Sequence, residues 1–192
     1  MKKSGLILFL LAFMASVQCQ DDLWFTRTGD IYFISHTDII DIDANNHQVG
    51  SFFNPKTGEI AVTLLMKSFQ FTLPLAEEHF NENYVESDRY PKATFKGKAL
   101  NFDASKILKE VDYKFDVQGD LTIHGETAPV KVQTVIRRTA DAVVKGETKF
   151  SVLLDTYKIK VPNLVADRVA KEIPITVKFT YEPYKKAAAE KK

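Results

Sequence analysis

Apolar and polar residues alternate along most of this chain with a period of two. The longest run sets Val111, Tyr113, Phe115, Val117, Leu121 and Ile123 at odd positions, with Asp112, Lys114, Asp116, Gln118, Asp120, Thr122 and His124 between them. A helix advances about 100° per residue and cannot gather such a set on one side. The run therefore predicts a strand with its odd positions turned inward. Gly119 interrupts the apolar face, as at a bulge or a bend in a curving strand. Residues 23–27, 31–35, 39–44 and 49–53 read as further short strands. Thr28-Gly29-Asp30 and Asn45-Asn46-His47 read as reversals between them. Asn54-Pro55-Lys56-Thr57-Gly58 has the composition of a tight hairpin loop, after which Ile60, Val62, Leu64 and Met66 alternate with Ala61, Thr63, Leu65 and Lys67. Residues 92–100, 128–138, 141–154 and 173–181 complete the strands, and His124-Gly125-Glu126-Thr127 supplies a turn.

One stretch departs from this period. Leu75, Phe80 and Tyr84 stand among Glu77, Glu78, Asn81 and Glu82, with Phe80 and Tyr84 spaced for one face of a short helix. Pro91 forces Tyr90 into an extended conformation, so the helix must stop before it. A lone helix among strands usually covers an open end or an edge. Residues 155–170 are irregular, with Pro162-Asn163 beside Leu164-Val165. About eight to ten long, mostly antiparallel strands with one helix predict an all-β fold. It is a closed up-and-down barrel or a sandwich, and the strand lengths favour the barrel. A small barrel of this kind has an interior that side chains can fill or that can hold one small ligand.

Composition sharpens the picture. Hydrophobic residues make up 45% of the 192, enough for a core, and 14 Phe and 7 Tyr fall mostly at strand positions. A net charge of +1 without a basic stripe argues against a nucleic-acid partner. Lys2 and Lys3 precede an apolar stretch over 6–17 that is too short for a permanent membrane span, followed by Ala15-Ser16-Val17-Gln18-Cys19-Gln20. This is the pattern of a secretory leader over residues 1–19, cleaved after Cys19 to leave Gln20 first. Gln18 sits where lipoprotein processing wants a small residue, which disfavours a lipid anchor at Cys19. Export to the periplasm or the medium is expected. The sole cysteine is Cys19, so the domain over 20–184 is held without disulfides, and residues 185–192 form a charged tail.

Two segments carry a resemblance to a known family. His79 with Ser87-Asp88-Arg89-Tyr90-Pro91-Lys92-Ala93-Thr94-Phe95 resembles one signature of the YceI-like, polyisoprenoid-binding proteins. Val117-Gln118-Gly119-Asp120-Leu121-Thr122-Ile123-His124-Gly125, followed by Thr127, Pro129 and Val130, is similar to the other. The resemblance spans nearly all of the chain after the leader. It implies a lipocalin-like antiparallel barrel, exported, that encloses a long isoprenoid or similar lipid chain. The chain departs from the family pattern at Glu77-Glu78, where Arg-Asp is common, and at 152–157, where an Arg-x-x-x-Gly stretch is common. Its opening strands also read as compressed.

Candidate chemistry is sparse. The histidines at 36, 47, 79 and 124 have no short metal-ligand spacing, so no metal or other cofactor is expected. His79 is the one that a helix over the barrel end would bring to the mouth, beside Glu78, with a hydrogen bond pinning the helix as its plainer role. Glu77, Glu78, Glu82 and Glu86 read as a solvated face, and no nucleophile or phosphate-loop motif appears, so no catalytic residue is expected. The candidate ligand-binding residues are Phe80, Tyr84, Phe95, Tyr113, Phe115, Val117, Leu121, Ile123, Val132, Val177 and Phe179. The same residues can form a dry core instead, and the resemblance favours a cavity. The expected partner is a long-chain isoprenoid or fatty lipid, with a homodimer left open.

Overall fold

The computed structural model of the chain describes residues 23–107, 110–139 and 143–184. The expected leader over 1–19 and the expected charged tail over 185–192 lie outside them. Among the described residues nine strands form one antiparallel sheet: β1 (Trp24–His36), β2 (Asp41–Phe53), β3 (Glu59–Leu65), β4 (Gln70–Phe71), β5 (Lys92–Leu100), β6 (Tyr113–Ile123), β7 (Glu126–Arg138), β8 (Val144–Leu153) and β9 (Glu172–Pro183). β1 pairs with both β2 and β9, which closes eight of the strands into an up-and-down barrel. β4 is an extra two-residue rung on the upper part of β2. Helix α1 (Pro74–His79) begins on proline, runs on as a π turn over Phe80–Tyr84, and covers one end. A single helical turn, α2 (Ala104–Ile107), lies at the other.

The inward odd face of β6 holds from Tyr113, with Tyr113, Phe115, Val117 and Leu121 buried. Val111 is 55% exposed in the turn before the strand, so the alternation starts one step later than its sequence pattern. Gly119 faces Gly97 of β5, and a Cβ at position 119 would lie 2.3 Å from the Lys96 carbonyl oxygen and 2.7 Å from the Phe95 ring. The glycine pair thus lets Phe95 fold across the wall where the strands bend.

The opening strands differ from their sequence reading. The segments at 23–27 and 31–35 are one strand, as are those at 39–44 and 49–53, so the opening is long rather than compressed. In β2 the buried positions change from even (Ala44, Asn46) to odd (Val49, Ser51, Phe53), and in β1 from Thr26 to Gly29 and Ile31. Both changes fall where the β1–β2 register shifts, a bulge shared by the pair. A phase change in the apolar pattern looks like a turn from sequence. Asn46 is fully buried there, its Nδ2 donating to the Leu65 carbonyl (3.0 Å) while its Oδ1 accepts from the Gln48 amide (2.9 Å).

Two packed clusters divide the barrel. The lower one brings together Phe53, Ile107, Tyr113, Phe115, Ile136 and Tyr181, with Phe102 against them. The upper one gathers Ile31, Leu64, Met66, Phe69, Val85, Leu121 and Tyr157, with Phe33, Phe71, Phe80 and Phe150 only half-buried around it. The strand connections at the upper end are the β1–β2 turn, the segment holding α1, the His124–Gly125 turn and the loop after β8.

Candidate functional site

The half-buried aromatics of the upper cluster mark a cavity of about 470 Å³, roofed by α1 and its π turn and walled by the upper halves of the strands. This lies within the range of about 300–1,000 Å³ typical of ligand sites. Its lining is almost wholly apolar, with Ser35, His79, Tyr84 and Arg168 as the polar side chains. Below it lies a smaller cavity of about 120 Å³. The two share Ile31, Leu64, Ala93, Leu121 and Phe150, which form a waist across the middle of the barrel.

The lid is held by its aromatic face and by its two ends. The Phe80 ring sits 5.8 Å from Phe33, 5.5 Å from Phe69 and 5.0 Å from Phe71, centroid to centroid. Such ring pairs add about 0.5–1.5 kcal/mol each to plain burial. At the start of the lid, the Phe71 amide donates to Glu77 Oε2 (3.3 Å). Beyond its end, His124 Nε2 and Glu86 Oε2 are hydrogen-bond partners at 2.7 Å, and His124 Nδ1 donates to the Tyr157 carbonyl (3.1 Å). His124 therefore ties the lid, the β6–β7 turn and the loop after β8 to one another. Its backbone is left-handed (φ 52°), and its ring packs edge-on against Tyr90 at 4.6 Å. The histidine expected to pin the lid was His79, but His79 bonds within the lid, to Asn83 Oδ1 (3.0 Å), because both lie on the same turn of helix. Glu77 and Glu86 likewise make specific contacts rather than forming only a solvated face.

The wall is not sealed all the way up. β7 and β8 pair only from Thr134 and Thr148 down to Arg138 and Val144. Above Thr134 the β7 edge carries Pro129, which lacks an amide to donate, and Lys131, while β8 carries Lys149. Proline and lysine are the usual protections of an unpaired strand edge. The loop after β8 crosses the top of this gap, and Lys158 bridges to Glu126 at 2.8 Å. Val130, Val132, Thr148 and Phe150 on the margins of the gap line the lower cavity.

Of the candidate binding residues, Phe80, Tyr84 and Ile123 line the upper cavity, and Leu121 lines both. Phe95, Phe115, Val117, Val132, Val177 and Phe179 line the lower one. Tyr113 lines neither; it packs in the lower cluster, where its hydroxyl accepts from the Asp103 amide (2.9 Å) and donates to the Asn101 carbonyl (3.4 Å). Burial raises the pKa of the Tyr84 phenol, which keeps it neutral in the cavity wall. The sequence reading missed Phe33, Phe69, Phe71, Phe150 and Arg168. Phe69-Gln70-Phe71 has the alternation of a strand over three residues, a signal too short to use. Among the described residues no cluster of His, Cys, Asp or Glu is arranged to hold a metal, and no helix is long and apolar enough to cross a membrane.

Comparison with known proteins agrees with this geometry. The family model of the YceI-like domain matches residues 28–181. A polyisoprenoid-binding domain from Saccharophagus degradans, implicated in plant cell wall breakdown, superposes with a TM-score of 0.72 at 13% identity, covering 86% of this chain and 100% of that one. BcnA of Burkholderia cenocepacia follows the same course with a TM-score of 0.67 at 16% identity, over 80% of this chain and 96% of its own. The YceI protein of Campylobacter jejuni gives 0.61 at 16% identity, over 80% and 91%. No curated protein matches the chain. At these identities the solved structures are similar in fold.

Proposed function

The chain belongs to the family of YceI-like domains, and from that premise we propose that it is a lipid-binding protein that holds the chain of a polyisoprenoid or comparable long-chain lipid inside the barrel. The observation that carries this reading is the 470 Å³ upper cavity, apolar on nearly every side and roofed by a separate helical lid. Removing a hydrocarbon chain from water stabilises the complex by about 0.8 kcal/mol per methylene. Such a cavity therefore needs few polar groups for affinity. The polar end of the lipid sits at the mouth, between the lid and the loop carrying Arg168, where His79 and Arg168 border the cavity. The polyisoprenoid-binding domain of Saccharophagus degradans lends this cargo class support through the shared fold. The protein works as a carrier rather than an enzyme, outside the cytoplasm, a location supported by the leader-like residues 1–19. An interaction protein with a filled core is the competing reading, and only the lower cluster favours it.

The test fills the cavity from its wall. Ile123 is half-buried and lines the upper cavity, so Ile123→Trp places bulk in open space rather than in packed core. Delipidated protein is titrated with a fluorescent long-chain isoprenoid probe. The expected result is tight uptake by the unmodified protein, at least tenfold weaker uptake by Ile123→Trp, and similar thermal midpoints. Equal uptake by both proteins would place the probe elsewhere and contradict the reading.

A further inference from the structure

The rim of the open end carries a pattern that cavity binding does not require. At three places in two connections, the β1–β2 turn and the segment from the end of β8 to β9, a residue lining the upper cavity stands next to an aliphatic one facing out. Ile40 lines it beside Ile39, which is 57% exposed; Leu154 beside Leu153, 52% exposed; and Val165 beside Leu164, 92% exposed. On the lid, Leu73 and Leu75 border the cavity while remaining 39% and 63% exposed. Single exposed leucines are ordinary on protein surfaces. Here, however, the β1–β2 turn, the lid, the end of β8 and the loop after it all present one, around a single opening. Among the described residues the opposite end exposes Val111, and Phe52 and Tyr184, which pack with Phe25 and with each other.

Charge on this rim is divided. The loop bearing Leu164 is net basic: against Asp155 and Asp167 it carries Lys160, Arg168 and Lys171, none of which has an acidic partner among the described residues, and Lys158, which is paired with Glu126. The lid across the mouth carries Glu77, Glu78 and Glu82. An exposed leucine flanked by unpaired cations with long aliphatic stems suits the boundary between lipid headgroups and acyl chains. There the leucine leaves water and the cations meet phosphates. A protein partner would have to offer an apolar face and an anionic one in the same arrangement, which an anionic bilayer provides everywhere.

We propose that this rim is a membrane-docking surface: Leu164 enters the headgroup region of an anionic phospholipid bilayer, and Lys160 and Lys171 engage its phosphates. The cavity mouth then faces the membrane, where a long-chain lipid can pass without crossing water.

The experiment is flotation of the full chain with phosphatidylcholine–phosphatidylglycerol vesicles and with phosphatidylcholine vesicles alone. Each lysine near an anionic surface is worth about fivefold in partitioning, so Lys160→Glu with Lys171→Glu is expected to cut binding to the mixed vesicles by more than tenfold. Leu164→Asp is expected to cut it about fivefold or more. None of these three residues lines the cavity, and Leu164 packs on nothing, so thermal midpoints should hold. All proteins are prepared alike, so any contribution from the apolar residues 6–17 cancels. An unmodified protein that floats with neither vesicle, or variants that float as well as it does, would overturn the proposal. Probe uptake on the same samples separates the two readings. Lost vesicle binding with retained uptake is the expected result for the variants. Retained vesicle binding in an unmodified protein that takes up no probe would sink the carrier reading and leave the docking surface standing.

Discussion

Tyr181, near the end of β9, donates its hydroxyl to Ser51 Oγ (2.8 Å), which in turn donates to the Ala61 carbonyl (3.2 Å). Burial in the lower cluster raises the phenol's pKa far above its ordinary value, and Ser51 Oγ, which can turn to donate to the phenolate, opposes that only in part. The folded state therefore holds this proton more tightly than the unfolded state does. The stability that results is fully present below the unfolded pKa of about 10 and is lost as pH rises above it toward the folded value. Urea unfolding between neutral and strongly alkaline pH is expected to show stability falling above about pH 10, by up to ~1.4 kcal/mol per pH unit for this one proton. Tyr84 acts in the same direction. Tyr181→Phe should remove most of that slope, and an unchanged slope would mean the phenol ionises in place without cost. Single residues were the least legible scale in the sequence. Asn46 and His124 both have turn-like neighbours, yet one is buried inside a strand and the other binds three segments together. Nothing local distinguishes a polar side chain that meets a distant partner from one that meets water.

At the scale of elements, period-two alternation was a sound guide because each strand of a closed barrel has one face to the inside. β6 tests this directly. Phe115 is 7% exposed and Lys114 points outward, so Phe115→Asp is expected to unfold the protein by burying an unpaired carboxylate. Lys114→Asp should shift stability by no more than about 0.5 kcal/mol. Equal tolerance of both, measured by urea midpoint, would contradict the register. Where alternation changed phase, at the bulge shared by β1 and β2, the sequence reading split each strand in two. The gap between β7 and β8 left one readable trace, Pro129 in an otherwise regular strand, whose meaning depends on knowing the neighbour. The lid makes a separate prediction. Phe80 packs against Phe33, Phe69 and Phe71 at the cavity roof, so Phe80→Ala should lower the thermal midpoint of the stripped protein and also speed lipid release by tenfold or more. A large loss of midpoint with no change in release would make the lid a plug rather than a gate.

At the scale of the whole molecule, the barrel was legible from strand number and length, and the family from its two signatures. The division of the interior was not. Tyr113, Phe115 and Phe95 have the same character in sequence as Phe80 and Tyr84, yet Tyr113 packs away from both cavities, Phe95 and Phe115 line the small lower one, and Phe80 and Tyr84 line the large upper one. What separates them is distance from the lid. The lower end is closed by aromatics drawn from β2, β6 and β9 and by the turn bearing Phe102, whereas the upper end is spanned by a helix too short to fill it. A carrier role therefore requires the upper cavity to be a place for lipid. Organic extraction of the protein purified from cells, followed by mass spectrometry, tests that most directly. The expected result is a long-chain isoprenoid or fatty lipid recovered in proportion to the protein and depleted from Ile123→Trp. Protein that yields no lipid, and takes up none after exposure to isoprenoid and fatty chains, would contradict it.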